Sequence, residues 1–152
     1  MITVIGTGKV GGSIVQRLRN VDEDVQTVSH KGYEKWLKED GTVGDVVILA
    51  IKDAVMRTVI DEVALHKANA LEGIVAFHVN GSLGADVLTA WKLKGARIGA
   101  AHPFQTFSDV DASALDGIGW GVDAGDEAWP TIKSVVEKLK GKPVRLSDTS
   151  DL

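Results

Sequence analysis

The chain begins with three closely spaced glycines, at positions 6, 8 and 11, between an apolar run and an amphipathic segment. The apolar run, Ile2 to Ile5, is too short for a helix and is typical of a buried strand. Beyond the glycines, aliphatic residues recur at helical spacing, which predicts a helix from Lys9 to Arg19. This beginning therefore predicts a strand, a tight turn and a helix in immediate succession.

The same alternation of short apolar runs and amphipathic segments continues along the chain. Further strands are predicted at 25–28, 45–51, 74–79, 96–101, 118–122 and 143–146. Further helices are predicted at 33–39, 54–66, 83–93 and from 129 onward, and 102–117 is predicted to be mostly loop. The run at 45–51 is apolar on both faces, which is typical of a central parallel strand. Strands that alternate with helices predict one α/β domain with a mostly parallel sheet.

In this strand–turn–helix context the glycine spacing is typical of a loop that holds a dinucleotide. Gly6 would make the tight turn, Gly8 would let the backbone approach a pyrophosphate, and Gly11 would let helix and strand pack closely. The start of the helix would offer unpaired N–H groups to the phosphates. The alternative is a glycine-rich turn that only packs a strand against a helix. The predicted cofactor-binding segment is Gly6, Thr7, Gly8, Lys9, Val10 and Gly11.

We therefore predict a Rossmann-type, doubly wound domain over residues 1–147 and a short tail at 148–152. An NAD site usually carries Asp or Glu about 20 residues beyond the glycines, where it binds the ribose 2′-hydroxyl. This chain has Ser29, His30 and Lys31 there, and these groups suit a 2′-phosphate. NADP(H) is therefore predicted in preference to NAD(H). Alternatively, His30 and Lys31 are solvated loop residues.

Polar residues follow the predicted third, fourth and fifth strands, at the sheet edge where open α/β folds bind ligands. Ile51 and Lys52, after the third strand, are assigned to the cofactor site. Asp53 is expected to be the N-cap of the next helix, with a site role as the alternative.

Two further residues at this edge are candidates for chemistry. His102 lies where the fifth strand runs into a loop and has a side chain that titrates near neutral pH, so we predict a catalytic role over a turn role. Ser82 would either bind a substrate hydroxyl or carboxylate, or cap the helix predicted to begin near Leu83. His78 lies within the fourth strand and is expected to be a core residue.

Composition excludes several other classes of function. The formal net charge of −4 argues against a nucleic-acid binder. The chain has no cysteine, and its four histidines share no ligand spacing, so no metal site is predicted. The longest aliphatic run is Val46 to Ile51, far below the ~20 residues of a membrane span. No signal peptide is readable at the N-terminus, so a cytoplasmic protein is predicted.

With these residues identified, the chain resembles the Rossmann-like NADP-dependent oxidoreductases of the DUF2520 type, relatives of pyrroline-5-carboxylate reductase and 6-phosphogluconate dehydrogenase. The resemblance rests on four stretches: ITVIGTGKVGGSI, DVVILAIKDAVM, FHVNGSLGADVL and GAAHPFQTFSD. The pairing of HxxGS with HPxQTF is its specific part. Asn80 departs from the pattern, which has a serine or another small residue there.

A more distant resemblance concerns prephenate dehydrogenases, in which a serine after the fourth strand and a histidine after the fifth face the substrate. It implies that His102 contacts the oxygen at the hydride-transfer carbon and that Ser82 helps to orient it. The resemblance also implies a helical domain that builds a dimer and closes the pocket. This chain has 152 residues, so we expect no such domain within it. Two alternatives are open: a truncated form of a two-domain enzyme, or a stand-alone cofactor domain whose site is completed by a partner chain, as in a homodimer.

Two functions follow as hypotheses. The first is an NADP(H)-dependent oxidoreductase that moves hydride to or from a small carbonyl, hydroxy or imine compound. The alternative is a nucleotide-binding module or sensor subunit without catalysis of its own.

Overall fold

The computed structural model describes residues 1–146, so the tail predicted at 148–152 lies outside the described residues. The strands within this range are β1 (Ile2–Ile5), β2 (Val25–Val28), β3 (Val46–Leu49), β4 (Val75–His78), β5 (Arg97–Pro103), β6 (Gly119–Ala124) and β7 (Lys142–Arg145). The α-helices are α1 (Lys9–Asn20), α2 (Tyr33–Lys38), α3 (Asp53–His66), α4 (Thr89–Lys92) and α5 (Trp129–Lys138). Short 3-10 turns cover Ala68–Leu71, Ala85–Leu88 and Ala112–Leu115.

These strands form one sheet in the order β2-β1-β3-β4-β5-β6-β7. All pairs from β2 to β5 are parallel, β6 runs antiparallel to β5, and β7 is parallel to β6. The predicted α/β, doubly wound and mostly parallel architecture is therefore confirmed. The chain reverses its direction of winding between β1 and β3, and such a reversal opens a crevice at the carboxyl ends of the strands.

Both faces of the central strands are buried, because side chains alternate between two separate core layers. Val4, Ile48 and Phe77 point to the layer covered by α1 and α5. Leu49 and Ala76 point to the layer covered by α2, α3 and α4. This arrangement explains why β3 and β4 read as continuous apolar runs instead of alternating ones. Each fully buried large side chain contributes about 1.5–3 kcal/mol of hydrophobic free energy.

Two predicted segments differ from the structure. The helix expected at 83–93 is replaced by the 3-10 turn Ala85–Leu88 and the single turn α4, and the Ala85 N–H at the start of the 3-10 turn donates to the Asp123 carboxylate of β6. The segment 102–117, expected to be mostly loop, extends β5 through Pro103 and contains the turn Ala112–Leu115.

Over residues 1–146, none of the helices combines the length and the apolar character needed to cross a bilayer.

Candidate functional site

The glycine turn between β1 and α1 is shaped by backbone contacts that leave no room for side chains at two of its positions. Gly6 has a φ of 103°, and a Cβ atom there would lie 2.2 Å from the Ala50 carbonyl oxygen. A Cβ atom at Gly11 would lie 2.0 Å from the Gly6 carbonyl oxygen. The start of α1 is thereby held directly against the ends of β1 and β3.

Gly8 differs from Gly6 and Gly11, because a Cβ atom there would meet nothing within 4 Å among the described residues. It is the N-cap residue of α1, and no described side chain caps this end. The first turn of α1 contains no acidic residue. The backbone N–H groups at this end are therefore open to an anionic ligand, which the helix dipole would favour. These properties fit the pyrophosphate of a dinucleotide.

The end of β2 lies beside the glycine turn, because the Gly6 N–H donates to the Val28 carbonyl oxygen at 2.9 Å. Ser29 Oγ accepts the Gly32 N–H at 3.2 Å, which leaves the hydroxyl proton free to be donated to a ligand. His30 and Lys31 are exposed. Ser29 follows Val28 directly and so lies next to the glycine turn, and His30 and Lys31 continue the same exposed loop.

Asp53 is not the N-cap residue predicted from the sequence. Lys52 holds that position, and its carbonyl oxygen accepts the Met56 N–H at 3.1 Å. The Asp53 carboxylate instead accepts hydrogen bonds from the Asn80 amide and from Ser82 Oγ, the latter at 2.7 Å. The Asp53 carboxylate thereby joins the start of α3 to the loop after β4.

Ser82 does not cap a helix, and this alternative for its role is wrong. The next helical turn begins at Ala85 with Gly84 as its N-cap, so Ser82 lies two residues before the cap position. Ser82 instead folds back on Asn80, whose Oδ1 atom lies 3.0 Å from the Ser82 nitrogen and 2.9 Å from Ser82 Oγ. The exposed Ser82 hydroxyl therefore belongs to a polar cluster with Asp53 and Asn80 at the crevice edge.

His78 is a structural residue, as expected. Its side chain is fully buried, its Nε2 atom lies 2.8 Å from the Gly84 carbonyl oxygen, and the Asn80 N–H donates to its Nδ1 atom at 3.1 Å. A neutral imidazole with its proton on Nε2 satisfies both contacts. Burial lowers the pKa of His78, and the hydrogen bond to the Gly84 backbone and the acidic residues around the ring only partly oppose that effect.

Acid is expected to destabilise the fold through His78. Because its pKa is lower in the folded chain than in the unfolded chain, its contribution to stability is present above the unfolded pKa and is lost as the pH falls below it. Urea unfolding between pH 7.5 and pH 5 should show a falling free energy of unfolding, with a slope of at most about 1.4 kcal/mol per pH unit from this group. His78→Gln, which cannot titrate, should flatten that slope, and an unchanged slope would contradict the assignment.

His102 lies at the end of β5 with an exposed ring that contacts the loop carrying Ser82. Its Nδ1 atom lies 3.4 Å from the Val79 carbonyl oxygen, which can only accept, so Nδ1–H is the donor in this long contact. A Cβ atom at Gly81 would lie 2.6 Å from Nε2, so the ring lies directly against this loop. The Phe104 ring meets the imidazole edge-on, with the ring centroids 6.0 Å apart.

Sequence reasoning missed the way in which the segment after His102 returns to α1. The Asp111 N–H donates to Ser13 Oγ at 2.9 Å, and Arg17 donates to the Ala112 carbonyl oxygen at 3.0 Å. Val110 covers Gly12, where a Cβ atom would lie 2.8 Å from its side chain. These partners are almost a hundred residues apart in the chain, so no local pattern could have revealed the contacts between them. The polar residues at the strand ends indicated the functional edge of the sheet, but not this segment.

No protein-family model matches the sequence, and no curated protein matches it. Solved structures do. Prephenate dehydrogenase from Aquifex aeolicus is similar with a TM-score of 0.70 and 15% identity, over 96% of this chain and 61% of that one. Pyrroline-5-carboxylate reductase from Coxiella burnetii gives 0.73 and 19%, over 99% and 60%. An imine reductase from Bacillus cereus gives 0.72 and 15%, over 95% and 54%.

These similarities confirm the Rossmann-like fold and, at the level of fold, the resemblance to prephenate dehydrogenases and pyrroline-5-carboxylate reductase. The chain spans 54–61% of the length of these three structures. The DUF2520-type assignment stays a prediction.

Proposed function

We propose that the chain is an NADP(H)-dependent oxidoreductase domain that moves hydride to or from a small carbonyl, hydroxy or imine compound. One observation carries this proposal: the open glycine turn at Gly8 and the exposed His102 side chain lie at the same sheet edge, on either side of the reversal in strand order. Support also comes from the similar structures, which are dehydrogenases and reductases. A further similar structure, of prephenate dehydrogenase from Aquifex aeolicus, is a complex with hydroxyphenyl propionate and NAD+.

The residues that would hold the cofactor are those of the glycine turn and the ends of β2 and β3. The N–H groups at Gly8 would bind the pyrophosphate, and Ile51 and Lys52 would border the crevice where β3 ends. Ser29, His30 and Lys31 would bind a 2′-phosphate as donors of hydrogen bonds. When bound, the nicotinamide supplies the hydride chemistry.

His102 and Ser82 are the residues that we propose to act on the substrate. The Nε2 atom of His102 takes no part in the Nδ1 contact with Val79, so it is the ring atom that would exchange a proton with a substrate oxygen or nitrogen. Ser82 would fix the orientation of that group. Both side chains are exposed, so a homodimer partner that covers them would complete the site.

Lys31→Ala is expected to weaken NADPH binding by about ten- to a hundredfold, because a charge-assisted hydrogen bond contributes about 1.5–3 kcal/mol. NADH binding should change little. Titration with cofactor fluorescence as the readout measures both affinities, and Lys35→Ala, at an exposed lysine of α2, is the matched control. A wild-type chain that prefers NADH would refute the NADP(H) assignment, and one that binds neither nucleotide would refute the proposed function.

The exposure of the His102 and Ser82 side chains favours a second candidate function, a nucleotide-binding module or sensor subunit. It predicts cofactor binding without turnover of any compound in a panel of carbonyls, imines and hydroxy acids. Turnover of one panel member would exclude it.

A further inference from the structure

The hydrogen bonds around Ser82 restrict what its hydroxyl can offer to a ligand. Ser82 Oγ lies 2.7 Å from Asp53 Oδ2 and 2.9 Å from Asn80 Oδ1. The orientation of the Asn80 amide is fixed, because its Oδ1 atom accepts the Ser82 N–H and its Nδ2 atom donates to Asp53. Both neighbours of the hydroxyl are therefore acceptors.

A serine hydroxyl has one proton and two lone pairs. With two acceptors beside it, the proton points into the cluster, and the carboxylate attracts it more strongly than the neutral amide oxygen does. The lone pairs of Ser82 Oγ then face the crevice. The hydroxyl can accept a hydrogen bond from a ligand, but it has no proton left to donate to one.

We propose that Asp53 is a positioning residue that makes Ser82 an obligate hydrogen-bond acceptor, so that the group bound there carries an O–H or N–H donor. The substrate class is accordingly a hydroxy compound or a protonated nitrogen compound, and a carboxylate is disfavoured at this position. This inference rests on the proposed function for its relevance to a reaction. It decides between the two ligand groups that the sequence left open for Ser82, a hydroxyl and a carboxylate.

The electrostatics of the cluster act in the same direction. Asp53 lies in the first turn of α3, is exposed, and forms no ion pair with any described residue within salt-bridge distance. A ligand bound to Ser82 would be separated from the Asp53 carboxylate by two hydrogen bonds, one from the ligand to Ser82 and one from Ser82 to Asp53. At this distance the negative charge of Asp53 attracts a cationic nitrogen and repels an anion. Asp53 thus sets both the direction of the hydrogen bond and the sign of the preferred charge.

The test is a binding experiment that needs no turnover. Isopropylammonium chloride and sodium acetate are titrated at equal ionic strength into the isotopically labelled 152-residue chain, and the backbone amide resonance of Ser82 is followed by NMR. We expect isopropylammonium to shift this resonance at a concentration at least tenfold lower than acetate does. Equal or tighter binding of acetate at Ser82 would overturn the proposal, as would the absence of a shift with either probe.

Variants separate the role of Asp53 from a general effect of charge. Asp53→Asn should reduce the preference for isopropylammonium at least tenfold, because it removes the negative charge and the stronger of the two acceptors of the Ser82 proton. Asp61→Asn removes an exposed carboxylate from the same helix and should leave the preference unchanged. Ser82→Thr keeps the hydroxyl and should retain the preference, whereas Ser82→Ala should reduce it. Loss of the preference in Asp61→Asn, or its persistence in Asp53→Asn, would overturn the assignment.

A parallel NADPH titration of the same samples distinguishes this failure from failure of the proposed function. A chain that binds no NADPH but still discriminates between the probes at Ser82 would refute the oxidoreductase and keep the role of Asp53. A chain that binds NADPH without discrimination would do the reverse.

Discussion

Gly11→Ala is expected to destabilise the fold by about 3 kcal/mol or more, which is at the upper end for a single substitution. The added Cβ atom would lie 2.0 Å from the Gly6 carbonyl oxygen and 3.1 Å from the Ala50 Cβ atom. Both are parts of the ends of β1 and β3, so relief would require α1 to move away from the sheet. Urea unfolding followed by circular dichroism measures the loss.

Gly8→Ala is the matched control, because its Cβ atom would meet no described residue within 4 Å. Its stability should stay within about 1 kcal/mol of the wild type, since alanine is only a poorer N-cap than glycine. Its NADPH affinity should nevertheless fall at least tenfold, if a pyrophosphate approaches the backbone at this position. Equal stability of the Gly11→Ala and Gly8→Ala variants would contradict the packing role of Gly11.

His102→Ala is expected to lower turnover by about 10²- to 10⁴-fold, the usual contribution of a group that transfers a proton in the transition state. NADPH affinity should stay within about twofold, because His102 lies at the end of β5, away from the glycine turn. Steady-state kinetics on whichever panel compound the wild type turns over, together with a NADPH titration, separate the two effects.

His66→Ala is the control for this substitution, since His66 is an exposed histidine at the C-terminal end of α3, the end away from Asp53 and Ser82. It should retain wild-type turnover. If His102→Ala kept its activity, the histidine would be reduced to a turn residue that packs against Gly81 and Phe104.

The parts of the molecule that the sequence predicted correctly depend on local patterns. The glycine spacing before an amphipathic segment predicted β1 and α1, because backbone turns and helical periodicity are encoded by neighbouring residues. The doubly apolar run at 45–51 predicted a central parallel strand for the same reason. The polar residues at strand ends predicted which edge of the sheet would hold Ser82 and His102.

The parts that the sequence did not reveal depend on residues that are distant in the chain. Asp53 was expected to cap its own helix, yet its partners are 27 and 29 residues away, in the loop after β4. The first helical turn after Ser82 starts only at Ala85, where the N–H donates to Asp123, 38 residues further along. Such contacts arise only when the sheet brings strand ends together, so no window of the sequence contains them.

The buried imidazole of His78 has a consequence for ligand binding. Its two nitrogens hold the Asn80 and Gly84 backbones, which are the two ends of the loop that carries Ser82. That loop is consequently preorganised: its backbone is already ordered before any ligand arrives, and little conformational entropy remains to be lost on binding. A weak interaction at Ser82 can then be selective, because its free energy is not consumed in shaping the loop.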